Sequence, residues 1–489
     1  MYDLIVVGGG LLGVGITRDA ALRGLSVCLF EQEDFGTGAT SRGSRLVTGG
    51  LQALETLDFT RVREDIRERE ILIQTAPHLA FPQPCLIPFY SQGLIAQTRL
   101  RASFALTDAL GFDPALPVHH LLSPAEARAR MPSLRTEGLT GAALVWEAAV
   151  PQIERLALET ALDARRQGAA LRTQTWVEAL CAEPGRRGRE RVTGVRWTDR
   201  LTGESGETKA ELVILAAGAW QAALETPRAH RPSVPPRLRK SIAVIGPPLP
   251  GRGDALVFPQ EEDGPTLSVL THPWGVWIGS VETEFSGDLD TAHATGAEVA
   301  ALLDRIKNFL PEIAPGELTL AQAAVSAPLP VPSASFGVPA PTYEIRDHGA
   351  EGSLSDGLLS VTGGRVANVR GIAEEAVDLA CRKLGRSLST PPCRTASVPL
   401  AAPARPHFEE ANDLQSAVEW AVAEEECRTL RDFLLRRSPL GWAADQGRSV
   451  LPVVLETLTA WLGWDTKRQV REVKAFEAEI ALTQAFRVL

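Results

Sequence analysis

The sequence predicts an α/β chain in which a parallel-sheet domain is interrupted by an antiparallel-sheet lobe and followed by a helical domain. Three observations predict it. The apolar strand Asp3 to Val7 runs into Gly8, Gly10 and Gly13, then a helical stretch to Arg23, then a strand Ser26 to Phe30 with Glu31 at its end. Two further apolar strands end in glycine, Glu211 to Gly218 and Leu358 to Gly364, far away in the chain. A proline-rich stretch, 391–406, precedes a strongly helical tail.

The first element carries the most chemistry. Gly8 permits the tight turn, Gly10 lets main chain approach a pyrophosphate, and Gly13 lets the helix pack closely on the strand. A helix N-terminus offers free N–H groups and the positive end of its dipole to phosphates. Glu31 is placed to accept from a ribose hydroxyl. A lone Gly-x-Gly-x-x-Gly is a weak signal. Between two strands and with an acid at that offset, it predicts a Rossmann-like dinucleotide site. Residues 36–56 follow, dense in glycine and hydroxyl residues, and offer donors for an anion or ring system.

The next helix starts near Asp58 and turns Val62, Ile66 and Ile73 to one face; its arginines read as a solvated face. Residues 81–95 are proline-rich and apolar and carry no strand prediction, and residues 99–112 and 153–166 are predicted helical. Leu171 to Leu180 and Arg191 to Trp197 read as antiparallel strands joined by an arginine-rich tip. Ala255 to Phe258, Leu267 to Leu270 and Val276 to Val281 predict an antiparallel sheet in a second lobe. Ala297 to Leu310 and Ile372 to Leu384 are helices, and Asp465 caps a last one.

Composition narrows the function classes. The 489 residues exceed one ordinary core. A net charge of −10 argues against wholesale nucleic-acid binding. Six cysteines without a Cys-x-x-Cys pair argue against a disulfide framework or a zinc site and fit a reducing cytoplasm. The strand at residue 3 predicts no signal peptide, and no apolar run reaches the ~18 residues of a membrane span.

Longer motifs carry a family likeness. Ile5 to Gly10 with Arg18 to Val27, Thr40-Ser41 with Ser44-Arg45-Leu46, Ala76-Pro77-His78-Leu79, Ala217-Gly218-Ala219-Trp220, and Thr362-Gly363-Gly364-Arg365 with Arg370 and Ala373 to Ala376 span nearly the whole chain. Together they resemble the flavin-dependent glycerol-3-phosphate dehydrogenases. The resemblance implies a Rossmann-like FAD-binding domain (1–90, 145–225 and 330–390), an interleaved antiparallel-sheet substrate lobe (91–144 and 226–329), a linker (391–406) and a C-terminal helical cap domain (407–489). It implies FAD as cofactor, contacted by Gly8, Gly10, Gly13, Glu31, Thr40, Ser41, Leu46, Val177, Gly218, Gly363 and Gly364, and no metal. It implies hydride transfer from C2 of sn-glycerol 3-phosphate to FAD, with electrons passed to quinone. A cytoplasmic protein peripheral to the inner face of the membrane, and a homodimer, are further expectations of that kinship.

The departures gather on the substrate side. The family's His-Gly-Gly-Leu-Arg-Tyr-Leu reads Thr48-Gly49-Gly50-Leu51-Gln52-Ala53-Leu54, and its Gly-Val-Arg-Pro-Leu reads Val325-Ser326-Ala327-Pro328-Leu329. A Gly-Ser-His segment reads Lys240-Ser241-Ile242, and a clasp lysine is Arg365. A charge-assisted hydrogen bond contributes ~1.5–3 kcal/mol, so two missing arginines weaken phosphate binding by roughly two to four powers of ten. Arg346 and Arg365 remain as cations for substrate or flavin, each set against a structural ion pair, that of Arg346 with its neighbour Asp347, and His272 as a base set against a structural histidine. His78 reads as structural, bonding carbonyls at its helix end. Two alternatives to glycerol 3-phosphate oxidation follow: a different small hydroxy or amino substrate on the same fold, or a flavin-binding paralogue without catalysis.

Overall fold

The computed structural model describes residues 1–48, 59–90, 116–185, 190–224, 237–258, 266–272, 275–329, 342–350, 355–403 and 411–487. The expected helix at 99–112, the arginine-rich tip at 186–189, Gln52, Ala53 and Trp274 lie outside these residues.

Two sheets organise the fold. The first is ordered β16 (Tyr343–Asp347), β18 (Leu358–Gly363), β10 (Ser205–Leu215), β1 (Tyr2–Val7), β2 (Val27–Phe30) and β7 (Ala170–Arg172). From β18 to β7 the neighbours are parallel, and β16 closes the edge antiparallel. Leu4 to Val7 are all buried because both faces of the sheet are covered. One face takes α1 (Leu11–Leu22), α5 (Ile153–Arg166) and α7 (Val369–Lys383). The other takes β8 (Thr175–Pro184) and β9 (Glu190–Asp199), which pair antiparallel. The stretch predicted as one strand from Leu171 is therefore two. Gln174, at φ 55°, turns the chain between β7 and β8.

The second sheet runs β15 (Leu320–Ser326), β11 (Leu238–Gly246), β14 (Gly275–Phe285), β13 (Leu267–His272), β12 (Ala255–Phe258), β4 (Phe81–Tyr90), β6 (Leu139–Ala149) and β3 (Leu46–Val47). β4 and β6 pair along their whole length. The sequence reading divided the lobes at 90 and 145, whereas this pairing carries both strands into the second sheet. Prolines hid β4. Pro82, Pro84 and Pro88 fall at alternate positions, so their missing donors face one side, and β12 meets β4 only at Cys85 and Leu86.

Helix α3 (Phe59–Thr75) buries Val62 and Ile66 as its periodicity predicts. The C-terminal region holds α8 (Ala411–Glu424), a wide π turn at Phe433–Arg437, α9 (Leu451–Leu462) and α10 (Thr466–Gln484) around its own apolar cluster. Asp465 caps α10, its carboxylate accepting from the Arg468 N–H at 2.7 Å. Among the described residues, no helix is long and apolar enough to cross a membrane.

Candidate cofactor and active site

Parallel pairing brings the three glycine bends to one edge. β1, β10 and β18 are adjacent and co-directional, so Gly8, Gly218 and Gly363 all lie at or just past the carboxyl ends of neighbouring strands. The chain crosses in opposite senses on either side of β1, which opens a crevice there. Gly8 has φ 113°, and a Cβ on it would overlap the carbonyl oxygen of Ala216, so the first and second bends touch. A Cβ on Gly13 would overlap the Gly8 carbonyl oxygen. Gln221 Nε2 donates to Thr362 Oγ1 at 2.9 Å and ties the second bend to the third. Gly10 stands at the N-cap of helix α1 and has no side chain to cap it, and the first turn holds no acid.

Glu31 lies beside that turn. Its Oε2 accepts from the Gly9 N–H at 2.6 Å and its Oε1 from the Glu33 N–H at 2.9 Å. Burial pushes its carboxyl up to about 7, although those two N–H bonds pull the other way. Thr40 Oγ1 accepts from the Leu11 N–H at 3.2 Å, and Ser41 Oγ bonds the carbonyls of Thr37 and Gly38. Gly8, Gly10, Gly13, Glu31, Thr40, Ser41, Gly218, Gly363 and Gly364 thus share one neighbourhood. Val177 lies close by, two residues beyond Thr175, whose N–H donates to the Glu31 carbonyl at 2.8 Å, and Leu46 follows the loop that carries Thr40 and Ser41. Leu46 pairs with Ala149 in the second sheet, and Val177 is buried with Ile5, Val7 and Phe30. The glycine cradle, a helix start free of acidic side chains and the half-buried carboxylate of Glu31 fit the pyrophosphate and ribose of FAD.

The raised Glu31 carboxyl gives a pH prediction. In the apoprotein the ionised form is disfavoured by folding, so this group's contribution to stability falls as pH rises between about 4.5 and about 7. A ribose hydroxyl needs the carboxylate as acceptor. FAD affinity is therefore expected to drop by up to about tenfold per pH unit below 7. Glu31→Gln should weaken binding by ~10- to 150-fold and flatten that profile. Flavin fluorescence titrations from pH 5.5 to 8 read both effects; a wild-type profile that is flat would contradict them.

On the substrate side, the remaining polar groups are engaged. Arg365 donates to Asp65 of α3 at 2.5 Å, and that carboxylate is buried. Arg370 adds a second clip from α7 to α3 through Glu68 at 2.6 Å. Arg346 pairs with Glu344 at 3.3 Å and not with Asp347, because strand alternation puts 344 and 346 on one face. Asp347 instead meets Lys383 at 2.7 Å. His272 is buried, and burial with the nearby Arg45 guanidinium pushes its imidazole down to about 3. That burial suits the structural alternative more than the proton-accepting one. Ile242, at the family's histidine position, lies in the apolar core. Lys240 meets Glu298 at 2.9 Å. His78 contacts the Glu159 carboxylate at 2.6 Å, where carbonyl partners were expected.

Sequence reasoning missed Gly9, Asp34 and the full weight of Arg45. Arg45 is completely buried, donating to Glu154 at 2.7 Å and 3.0 Å, to the Pro151 carbonyl at 2.5 Å and to the Ser41 carbonyl at 3.2 Å. Its guanidinium also lies 4.8 Å from the Trp442 ring centre. It thereby fastens the loop carrying Thr40 and Ser41 to the start of α5.

Comparison with known proteins agrees with this geometry. The family described as FAD dependent oxidoreductase matches residues 3–432. The glycerol-3-phosphate dehydrogenase of Synechocystis sp. is 30% identical over 97% of this chain and 95% of its own length. The aerobic glycerol-3-phosphate dehydrogenase of Staphylococcus aureus is 28% identical over 81% of this chain and 70% of its own. The structure of the glycerol-3-phosphate dehydrogenase from Bacillus halodurans complexed with FAD superposes with a TM-score of 0.77 at 22% identity, covering 99% of this chain and 95% of that one. The chain belongs to the FAD-dependent oxidoreductases and, within them, to the glycerol-3-phosphate dehydrogenase family.

Proposed function

We propose that this protein is a FAD-dependent dehydrogenase that oxidises C2 of sn-glycerol 3-phosphate to dihydroxyacetone phosphate. The observation that carries this reading is the end-to-end relation to a glycerol-3-phosphate dehydrogenase of similar length. FAD, when bound, supplies the hydride acceptor. Gly8, Gly10, Gly13 and the start of α1 would hold its pyrophosphate, and Glu31 its ribose. Gly363, Gly364 and Arg365 would face its ring end, where Arg365 offsets negative charge on the reduced flavin and Arg346 orients the substrate. Electrons would pass to a quinone at a membrane surface. Exposed Val453 and Trp461 on α9, and Val470 beside Lys467, Arg471 and Lys474 on α10, suit an anionic bilayer.

A second reading has its own support. Arg346 and Arg365 both contact carboxylates, and Ala327, just past the end of β15, stands where the family places an arginine. That pattern favours a small hydroxy or amino compound without a phosphate. Anaerobic bleaching of the flavin band separates the readings. Glycerol 3-phosphate alone bleaching the holoprotein supports the first. Bleaching by glycerol, a hydroxy acid or an amino acid instead supports the second. Reduction by dithionite but by none of these would mean a flavin-binding protein without dehydrogenase activity.

A further inference from the structure

The segment from the end of β2 into α2 (Ala39–Arg42) carries Glu31 at one end and Thr40 at the other. The C-terminal helical region grips it at three points. Arg431 pairs with Glu33 at 3.0 Å, and Glu479 of α10 faces Arg42 at 3.6 Å. Between them stands Asp34, fully buried. Its Oδ2 accepts from Arg436 Nε at 2.6 Å and from Arg437 Nη1. Neighbouring side chains of an ordinary helix splay by about 100°. Here the wide turn at Phe433–Arg437 lets two consecutive arginines converge on one oxygen. Both are then fastened from behind: Arg436 Nη2 donates to Asp432 at 3.1 Å, and Arg437 Nη2 to the Glu425 carbonyl at 2.7 Å.

From Asp34 a short run of bonds leads to the helix that faces the pyrophosphate. The Asp34 carbonyl accepts from Thr37 Oγ1 at 2.7 Å and from its N–H at 3.3 Å. The Gly36 N–H donates to the Gly9 carbonyl at 3.0 Å, and the Ser41 N–H to the Gly36 carbonyl at 3.1 Å. Thr40 then caps the Leu11 N–H. Two guanidiniums on one buried carboxylate make a contact with two discrete states, because neither partner can be left buried alone. Undocking the C-terminal region would strand Asp34 and release the segment.

We propose that the C-terminal helical region is a positioning element of the cofactor site: through Asp34, Arg436 and Arg437 hold the Glu31-to-Ser41 segment in its cofactor-binding form. Docking of residues 411–487 and retention of FAD are then reciprocally coupled, each strengthening the other by the same factor. This rests on the reading that Glu31 and Thr40 meet the cofactor.

Full-length apoprotein titrated with FAD, followed by fluorescence and by amide hydrogen exchange, tests it. Asp34→Asn keeps the shape and removes the charge. It is expected to raise the FAD Kd by ~5- to 150-fold, the usual range of such coupling. In the wild type, FAD is expected to slow exchange across residues 430–437, and in Asp34→Asn that protection should be lost. Arg448→Met breaks only an exposed pair with Glu477 and should change neither reading. Wild-type exchange at 430–437 that ignores FAD overturns the proposal, and this arm decides the matter even if Asp34→Asn does not fold. So does an unchanged Kd in Asp34→Asn. Glu31→Gln distinguishes the two failures. If it weakens FAD while Asp34→Asn does not, the clamp is wrong and the cofactor contact stands; if Glu31→Gln has no effect, the contact itself is wrong.

Discussion

Gly13→Ala is expected to yield a colourless protein. In an ordinary helix interior this change gains about 1 kcal/mol. Here the new methyl would overlap the carbonyl oxygen of Gly8, and the next nearest atom is also backbone. Neither can turn aside as a side chain could. Helix α1 must lift from β1, with an overpacking cost of ~1–3 kcal/mol, and its N-terminus swings off the pyrophosphate position. Gly15→Ala is the matched control. Its methyl meets Ala373 Cβ at 3.5 Å, an ordinary contact, so the variant should keep its flavin and match or exceed the wild-type stability. The flavin-to-protein absorbance ratio and thermal unfolding read both. A yellow Gly13→Ala of normal stability would show that α1 is not seated as described.

Arg45→Met is expected to destabilise the chain by ~3–5 kcal/mol, because it leaves Glu154 charged and buried without its partner. The cost belongs to the stranded carboxylate rather than to the bond itself. The double change Arg45→Met with Glu154→Met should therefore recover most of the loss, since a buried pair replaced by apolar groups of similar size is often neutral. Losing Arg45 also removes one of the causes that hold the His272 imidazole down. Denaturant unfolding of the single and double variants checks the cycle. Equal losses in both would mean that packing, and not charge, fixes this loop.

The cofactor half of the fold was legible because its signals are local. Strand, glycine, helix and acid lie within thirty residues, and each glycine has a steric reason readable from spacing alone. The convergence of residues 211–218 and 358–364 on the same edge was legible from their repeated pattern, although only the parallel register shows it. What escaped depends on partners remote in sequence. Asp34 and Arg436 are 402 residues apart, and Arg45 and Glu154 are 109 apart. No periodicity announces such pairs, and an arginine in a glycine-rich loop reads as solvent-exposed until its carboxylate is found. Arg346 shows a smaller failure of the same kind. Its neighbour Asp347 looked like its partner, but a strand sends adjacent side chains to opposite faces. Strand β4 escaped because its prolines read as irregular chain, while their alternate spacing kept the ladder to β6 intact.

Three distant main-chain bends holding one FAD is the claim beneath all of this. Hydrogen exchange of the full-length apoprotein, with and without one equivalent of FAD, addresses it directly. Peptides covering residues 8–14, 216–221 and 362–368 should all slow together as the cofactor binds. Protection confined to the first peptide, or absent from all three, would contradict the assembled site.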